Sequence, residues 1–171
     1  MSLLERLTVS ETLTFVGKVH GLNPQTIEER RGELLERMSL DDASDALVTD
    51  CSHGMRKKLA LAAALLPGPE LLFLDEPFEG IDAVASREIK NLLSVFVHRG
   101  GTIFLTSHIL EVVERLCDHV GIIAAGKLIA QGGLAELRHE HGDADLEAIF
   151  LELVGAPAAA MDREIDWLGK A

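Results

Sequence analysis

The stretch FLDEP, residues 73–77, places two adjacent carboxylates at the end of an apolar run. Leu71, Leu72, Phe73 and Leu74 suit a buried strand, whereas Asp75 and Glu76 are like charges that contribute nothing to a core. Such a pair either caps the next element in solvent or holds something positive. His108 follows a second apolar run, in the stretch FLTSH. In open α/β sheets, ligands sit beyond the carboxyl ends of the strands. If the two runs are neighbouring strands, the acid pair and the histidine converge on one crevice. The plainer alternative is that Asp75 caps a turn and His108 opens a helix in solvent; the tetrapeptide LDEP alone does not decide between them. A third group is CSHGM, residues 51–55. Ser52 is a good N-cap, and Gly54 lets a ligand approach the backbone. A helix N-terminus there would offer free N–H groups and a positive dipole end to a phosphate, although an ordinary capped helix has the same look in isolation.

The elements that must position these groups follow from capping and periodicity. Thr8 and Glu11 have capping-box spacing, and Leu13, Val16, Gly17 and His20 recur after them at helical intervals. Asn23 and Pro24 restart a helix that carries Ile27, Leu34, Leu35 and Met38 on one face. A polar, turn-prone stretch then leads to a helix from about 53 to 66. Past PGPE, three short apolar runs appear at 71–74, 102–106 and 119–125, the first two followed by helical patterns near 83–98 and 108–117. Apolar strands alternating with helices predict a parallel α/β sheet. AAGKLIA at 124–130 predicts a turn into a short returning strand, and helices are expected near 133–140 and 144–154. The organisation is therefore a helical segment over 4–66, an α/β portion over 67–132, C-terminal helices over 133–155 and a flexible tail over 156–171.

Bulk composition narrows the function classes. The 171 residues are 47% apolar, enough for a real core, and carry 16 basic against 28 acidic residues, a formal charge of -12. Binding nucleic acid through bulk electrostatics needs a basic footprint that this chain lacks. Cys51 and Cys117 are far apart and match no metal spacing, which points to a reduced, cytosolic setting. No charged-then-apolar leader is visible, and the longest apolar stretch, Leu59 to Leu66, is far too short to span a bilayer. RHEHGDAD at 138–145 has no ligand spacing and is read as solvated surface, as is Arg56-Lys57-Lys58 on the outer face of its helix. Trp167 is given no role.

In order and spacing, SHGMRKKLALAAALL, ELLFLDEPFEGIDA and IFLTSHILEVVERLCD resemble the nucleotide-binding subunit of ABC transporters. CSHGM is similar to that family's signature motif, LLFLDE to its Walker B strand, FEGID to its D-loop and TSH to its switch histidine. LERLTVSETLTFVGKVHGL resembles the start of the family's helical subdomain, and GKLIAQGGLAEL with LEAIFLELVG resembles its usual close. The resemblance implies a partial P-loop NTPase fold, with a helical signature subdomain followed by a parallel-sheet α/β portion. It implies that Asp75 binds Mg²⁺ through water, that Glu76 polarises the attacking water as general base and that His108 touches the γ-phosphate. Ser52, His53, Gly54 and Met55 would embrace the γ-phosphate of ATP held by a second ATPase subunit in a head-to-tail dimer, with Asp82 carrying contact across the seam. The chemistry would be phosphoryl transfer by positioning and charge neutralisation. The partners implied are that second subunit and a membrane subunit, with the chain peripheral on the inner face of the cell membrane.

Two departures qualify the resemblance. Phe78-Glu79-Gly80-Ile81 stands where Thr-Ser-Gly-Leu is common, so Glu79 adds a negative charge near the seam. The larger one concerns the phosphate loop, GxxxxGK[ST]: Gly-Lys at 17–18, 126–127 and 169–170 is followed by Val, Leu and Ala. In the family the phosphate loop and the Q-loop glutamine precede the helical subdomain, so the chain is expected to be a C-terminal part that binds ATP weakly or not at all. Isolated, it is expected to self-associate through apolar surface left bare. Two further function classes stay open: a non-catalytic half-domain that complements another ATPase subunit, and a non-transport ATPase of the chromosome-maintenance or translation-factor kind.

Overall fold

Each long helix at the front of the chain begins at a side chain able to cap it. The Glu11 N–H donates to the Thr8 hydroxyl at 3.1 Å while the Glu11 carboxylate accepts from the Thr8 N–H at 2.9 Å, and this capping box opens α1 (Val9–Val19). Asn23 accepts from the Thr26 N–H at 2.9 Å and, with Pro24 behind it, opens α2 (Pro24–Arg37). Two short 3₁₀ turns, Asp41–Ala43 and Val48–Asp50, lead to α3 (His53–Leu65). Leu13, Val16, Ile27, Leu34, Leu35 and Met38 are buried as their spacing predicts. His20 is instead the exposed C-cap, because α1 stops one residue earlier and the chain turns at Gly21. Gly17 allows α1 and α2 to approach closely, since a Cβ there would lie 2.7 Å from the Ile27 side chain.

The computed structural model describes residues 5–155. Residues 1–4 and the tail from 156, expected to be flexible and including Trp167, lie outside the described residues. The chain divides into two units, one ending at Thr106 and the other beginning at Ser107.

In the first unit α3 is followed by β1 (Leu71–Asp75), α4 (Ala83–His98) and β2 (Thr102–Thr106). The strands pair in parallel, Leu71 opposite Thr102 and Asp75 opposite Thr106, with α4 as the crossover that parallel pairing requires. Alternation divides their side chains. Leu72 is buried, with Leu74, Ile103 and Leu105 half-buried on its side, while Leu71, Phe73 and Phe104 are exposed on the other. Leu13, Met38, Leu40, Leu59, Leu66 and Ile89 form the fully buried centre of this unit.

In the second unit α5 (Leu110–Leu116) leads into β3 (His119–Ala124), β4 (Lys127–Gly133), α6 (Leu134–Glu140) and α7 (Leu146–Val154). The third apolar run pairs antiparallel with β4. The reason is local: Ala125 and Gly126 both have positive φ, the backbone hand of the tight turn that joins hairpin strands. Ile122, Leu134, Leu146 and Ile149 are its core. Among the described residues no helix is long and apolar enough to cross a membrane.

Candidate functional site

Asp75 and Glu76 lie at the carboxyl end of β1, next to the end of β2. The Thr106 hydroxyl donates to Asp75 Oδ1 at 2.5 Å, and the Glu76 N–H donates to the Thr106 carbonyl at 3.2 Å. Register thus places a hydroxyl opposite the first acid and a carbonyl opposite the second peptide. Glu76 has φ +44, a left-handed conformation that a non-glycine residue adopts only where its surroundings hold it. The two carboxylates consequently differ in setting. Asp75 is exposed, whereas Glu76 is half-buried and its Oε2 is shut off from solvent.

The turn after Glu76 is anchored by Phe78, which is buried and has the Lys90 ammonium 5.3 Å from its ring centroid. Glu79 is exposed. Asp82 then caps α4, accepting from the Val84 and Ala85 N–H groups at 2.8 and 2.9 Å. The Ala85 bond is the main reason its carboxyl titrates below the usual range; partial desolvation opposes this, and the Val84 N–H and Lys58 add to it.

Ser52 caps α3 by accepting from the Met55 N–H at 3.2 Å. Ser52 and His53 are exposed; Gly54 and Met55 are half-buried. A Cβ built on Gly54 would lie 3.8 Å from Asp82 Oδ2, and one on Gly80 would lie 3.4 Å from His53 Nε2. The N-termini of α3 and α4 therefore meet, and Ser52, His53, Gly54, Met55 and Asp82 form one cluster. His108 belongs to the second unit. It is exposed and lines an open depression of about 440 Å³ with Glu111, Glu114, Asp145 and Glu147. β1, which ends at the acids, and β2, which precedes the histidine in sequence, are neighbouring strands.

Of Arg56-Lys57-Lys58, expected to be a solvated face, Arg56 is exposed but Lys57 is half-buried and Lys58 buried. Arg56 donates to the carbonyls of Cys51 and Thr49, Lys57 donates to the carbonyls of Glu76 and Glu79, and Lys58 is buried with its ammonium 2.9 Å from Glu88. The signal was present in the sequence. Consecutive helical residues are about 100° apart, so three in a row cannot share one outward face. Burial pushes the Glu88 carboxyl up, but hydrogen bonds from Ser39 and Lys58 and the Lys58 charge outweigh it and leave the group lowered. Burial raises the thiols of Cys51 and Cys117, so neither has the thiolate character of a nucleophile. His139 is exposed and His141 sits 3.0 Å from Glu152. Among the described residues no group of three or more His, Cys, Asp or Glu side chains forms a metal cluster.

The chain is similar to known proteins along most of its length. The ABC transporter family model matches residues 1–79. Nod factor export ATP-binding protein I of Cupriavidus metallidurans is 40% identical over 148 residues, 86% of this chain and 48% of that protein. ABC transporter ATP-binding protein NatA of Bacillus subtilis is 35% identical over 87% of this chain and 61% of its own length. The daunorubicin/doxorubicin resistance ATP-binding protein DrrA of Streptomyces peucetius is 36% identical over 81% and 42%. A solved ATP-binding subunit of an ABC transporter superposes with a TM-score of 0.82 at 32% identity, over 89% of this chain and 64% of that one. The chain spans roughly half the length of the relatives it matches.

Proposed function

The chain belongs to the ABC transporter family of ATP-binding proteins, and from that premise we propose that it supplies the signature helix, the metal-binding acid, the general base and the switch histidine of an ATPase that powers transport across a membrane. The observation that carries this reading is the exposed cluster in which the N-terminus of α3 meets Asp82, tied through Lys57 to the turn bearing Glu76. Segment 4–66 acts as the signature subdomain, 67–132 holds the acid pair and switch histidine, and 133–155 closes the domain.

In this reading ATP lies between two subunits arranged head to tail. Ser52, His53, Gly54 and Met55 offer the hydroxyl and the N–H groups of a helix N-terminus to the γ-phosphate held by the opposite subunit. Asp82 keeps the D-loop in register beside them by capping α4. Asp75 suits Mg²⁺: it is an exposed carboxylate of hard oxygens, already oriented by the Thr106 hydroxyl, and a single carboxylate working through water is a usual way to hold that ion. When bound, the ion neutralises charge on the phosphate oxygens. Glu76 accepts the proton of the attacking water; its half-buried setting at a bent backbone keeps it apart from the solvated Asp75. His108 contacts the γ-phosphate. The helical segment meets a membrane subunit, which places the protein on the cytoplasmic face of the membrane.

Kinetics of the full-length protein test the base. Glu76→Gln lowers kcat by about 10²-fold or more while ATP-dependent dimerisation persists. Retained hydrolysis would remove Glu76 from that role. The 171-residue chain by itself contains no phosphate-loop motif and binds ATP weakly or not at all, which calorimetric titration reads directly. It also self-associates through the exposed Phe73 and Phe104, and a clean monomer by light scattering at high concentration would refute this.

A further inference from the structure

Lys57 lies in the second turn of α3, five residues beyond the cap Ser52, and its ammonium reaches out of its own helix to the Glu76 carbonyl at 2.8 Å and to the Glu79 carbonyl. Those carbonyls bracket the turn that follows the acid pair, and the Glu79 N–H itself returns to the Glu76 carbonyl at 3.3 Å. The Glu76 residue is thus held from both sides. On one side its N–H meets the Thr106 carbonyl at the end of β2; on the other its carbonyl meets an ammonium from α3. Left-handed backbone at a non-glycine residue persists only under such constraint, and the direction of a side chain follows from the φ of its own residue. Lys57 is half-buried, and its bond to the Glu76 carbonyl is partly shielded from competing water, whereas its bond to the Glu79 carbonyl lies at the surface.

We propose that Lys57 is a positioning residue for Glu76: by pinning the Glu76 and Glu79 carbonyls it fixes the left-handed turn that aims the base, and it makes that aim depend on the placement of α3. The inference rests on the reading of Glu76 as general base. Its consequence is that the helix offering Ser52 to a phosphate and the carboxylate facing water share one mechanical link within the chain. An ammonium is not essential to this role; any donor that reaches both carbonyls would serve, and a side chain of the same length without a donor would not.

The test compares Lys57→Met with Lys57→Arg in the full-length protein. Lys57→Met is expected to lower kcat by about 10- to 100-fold, the effect of a small misplacement of a catalytic group, with KM for ATP within about twofold of the parent. Lys57→Arg, whose guanidinium still donates to two acceptors, is expected to recover most of the loss. An unchanged kcat for Lys57→Met, a loss carried by KM, or an arginine variant as impaired as the methionine variant would overturn the proposal. A second readout needs no turnover. In the 171-residue chain, amide hydrogen exchange at 76–81 should quicken in Lys57→Met while α1 and α2 keep their protection. Uniformly faster exchange would mark Lys57 as merely structural. If Glu76→Gln retained hydrolysis while the exchange at 76–81 quickened as expected, the base assignment would fall and the pinning of the turn would stand.

Discussion

Both sides of the β1–β2 pair carry large apolar side chains, but their surroundings differ. Leu72, Leu74, Ile103 and Leu105 on one side are buried or half-buried; Leu71, Phe73 and Phe104 on the other are open, Phe73 and Phe104 being 70% and 61% exposed. Yet the exposed side is the more aromatic. The two rings lie on facing register positions, 5.7 Å apart, and cover little but each other. Strands of a parallel sheet are usually apolar on both faces because both are covered. Leu71, Phe73 and Phe104 would suit burial on the second side too, yet among the described residues helices answer for one side only, and Asp75, Thr102 and Thr106 share the open one. The acid pair proposed for catalysis stands at the end of β1, on one of these same strands.

Substitutions can break this contrast, beginning with the covered side. Leu72→Ala should destabilise the chain by about 2–5 kcal/mol in urea unfolding, the cost of a cavity in a packed core. Lys58→Met removes the ammonium that meets Glu88 and helps hold α3 to α4, on which β2 packs. Its expected cost is about 1–3 kcal/mol, toward the low end because Glu88 keeps some access to water. On the open side, the double change Phe73→Ser and Phe104→Ser forfeits only a cross-strand aromatic pair. The monomer should lose about 1 kcal/mol, while self-association seen by light scattering falls sharply. A loss as large as that of Leu72→Ala would mean the open side is already buried in solution and the contrast is false.

Much of this was legible beforehand, for identifiable reasons. Thr8-Glu11 and Asn23-Pro24 fix helix starts by local chemistry, and both caps form as their spacing predicts. The acid pair falls at the end of β1 because an apolar run followed by Asp-Glu-Pro leaves no other end for the strand. What stayed hidden depends on partners distant in sequence. Lys57 could not be assigned to the carbonyls of Glu76 and Glu79 without knowing that α3 passes beside that turn. Lys58 could not be paired with Glu88, thirty residues away. Nor does any residue announce that Glu76 adopts a left-handed backbone, since that conformation is imposed by the strand end and α3 together rather than by the glutamate.

The smallest expected effect sharpens the contrast most selectively, because it concerns protonation on the covered side alone. The Glu88 carboxyl is lowered in the folded chain despite burial, through hydrogen bonds from Ser39 and Lys58. In the unfolded chain it titrates at the ordinary value of about 4.3. A lowered folded value means that its contribution to stability is fully present above that pH and is lost as pH falls through the folded value. Glu88→Gln keeps a carbonyl to accept from Lys58 but removes the charge, so at pH 7 it should cost under about 1 kcal/mol. The difference between parent and variant, measured by urea unfolding at successive pH values, should narrow below about pH 4.3 and vanish in strong acid. A gap that instead stays constant with pH would show that Lys58 and Ser39 hold Glu88 by shape and hydrogen bonding, with its charge contributing nothing to the junction of α3 and α4.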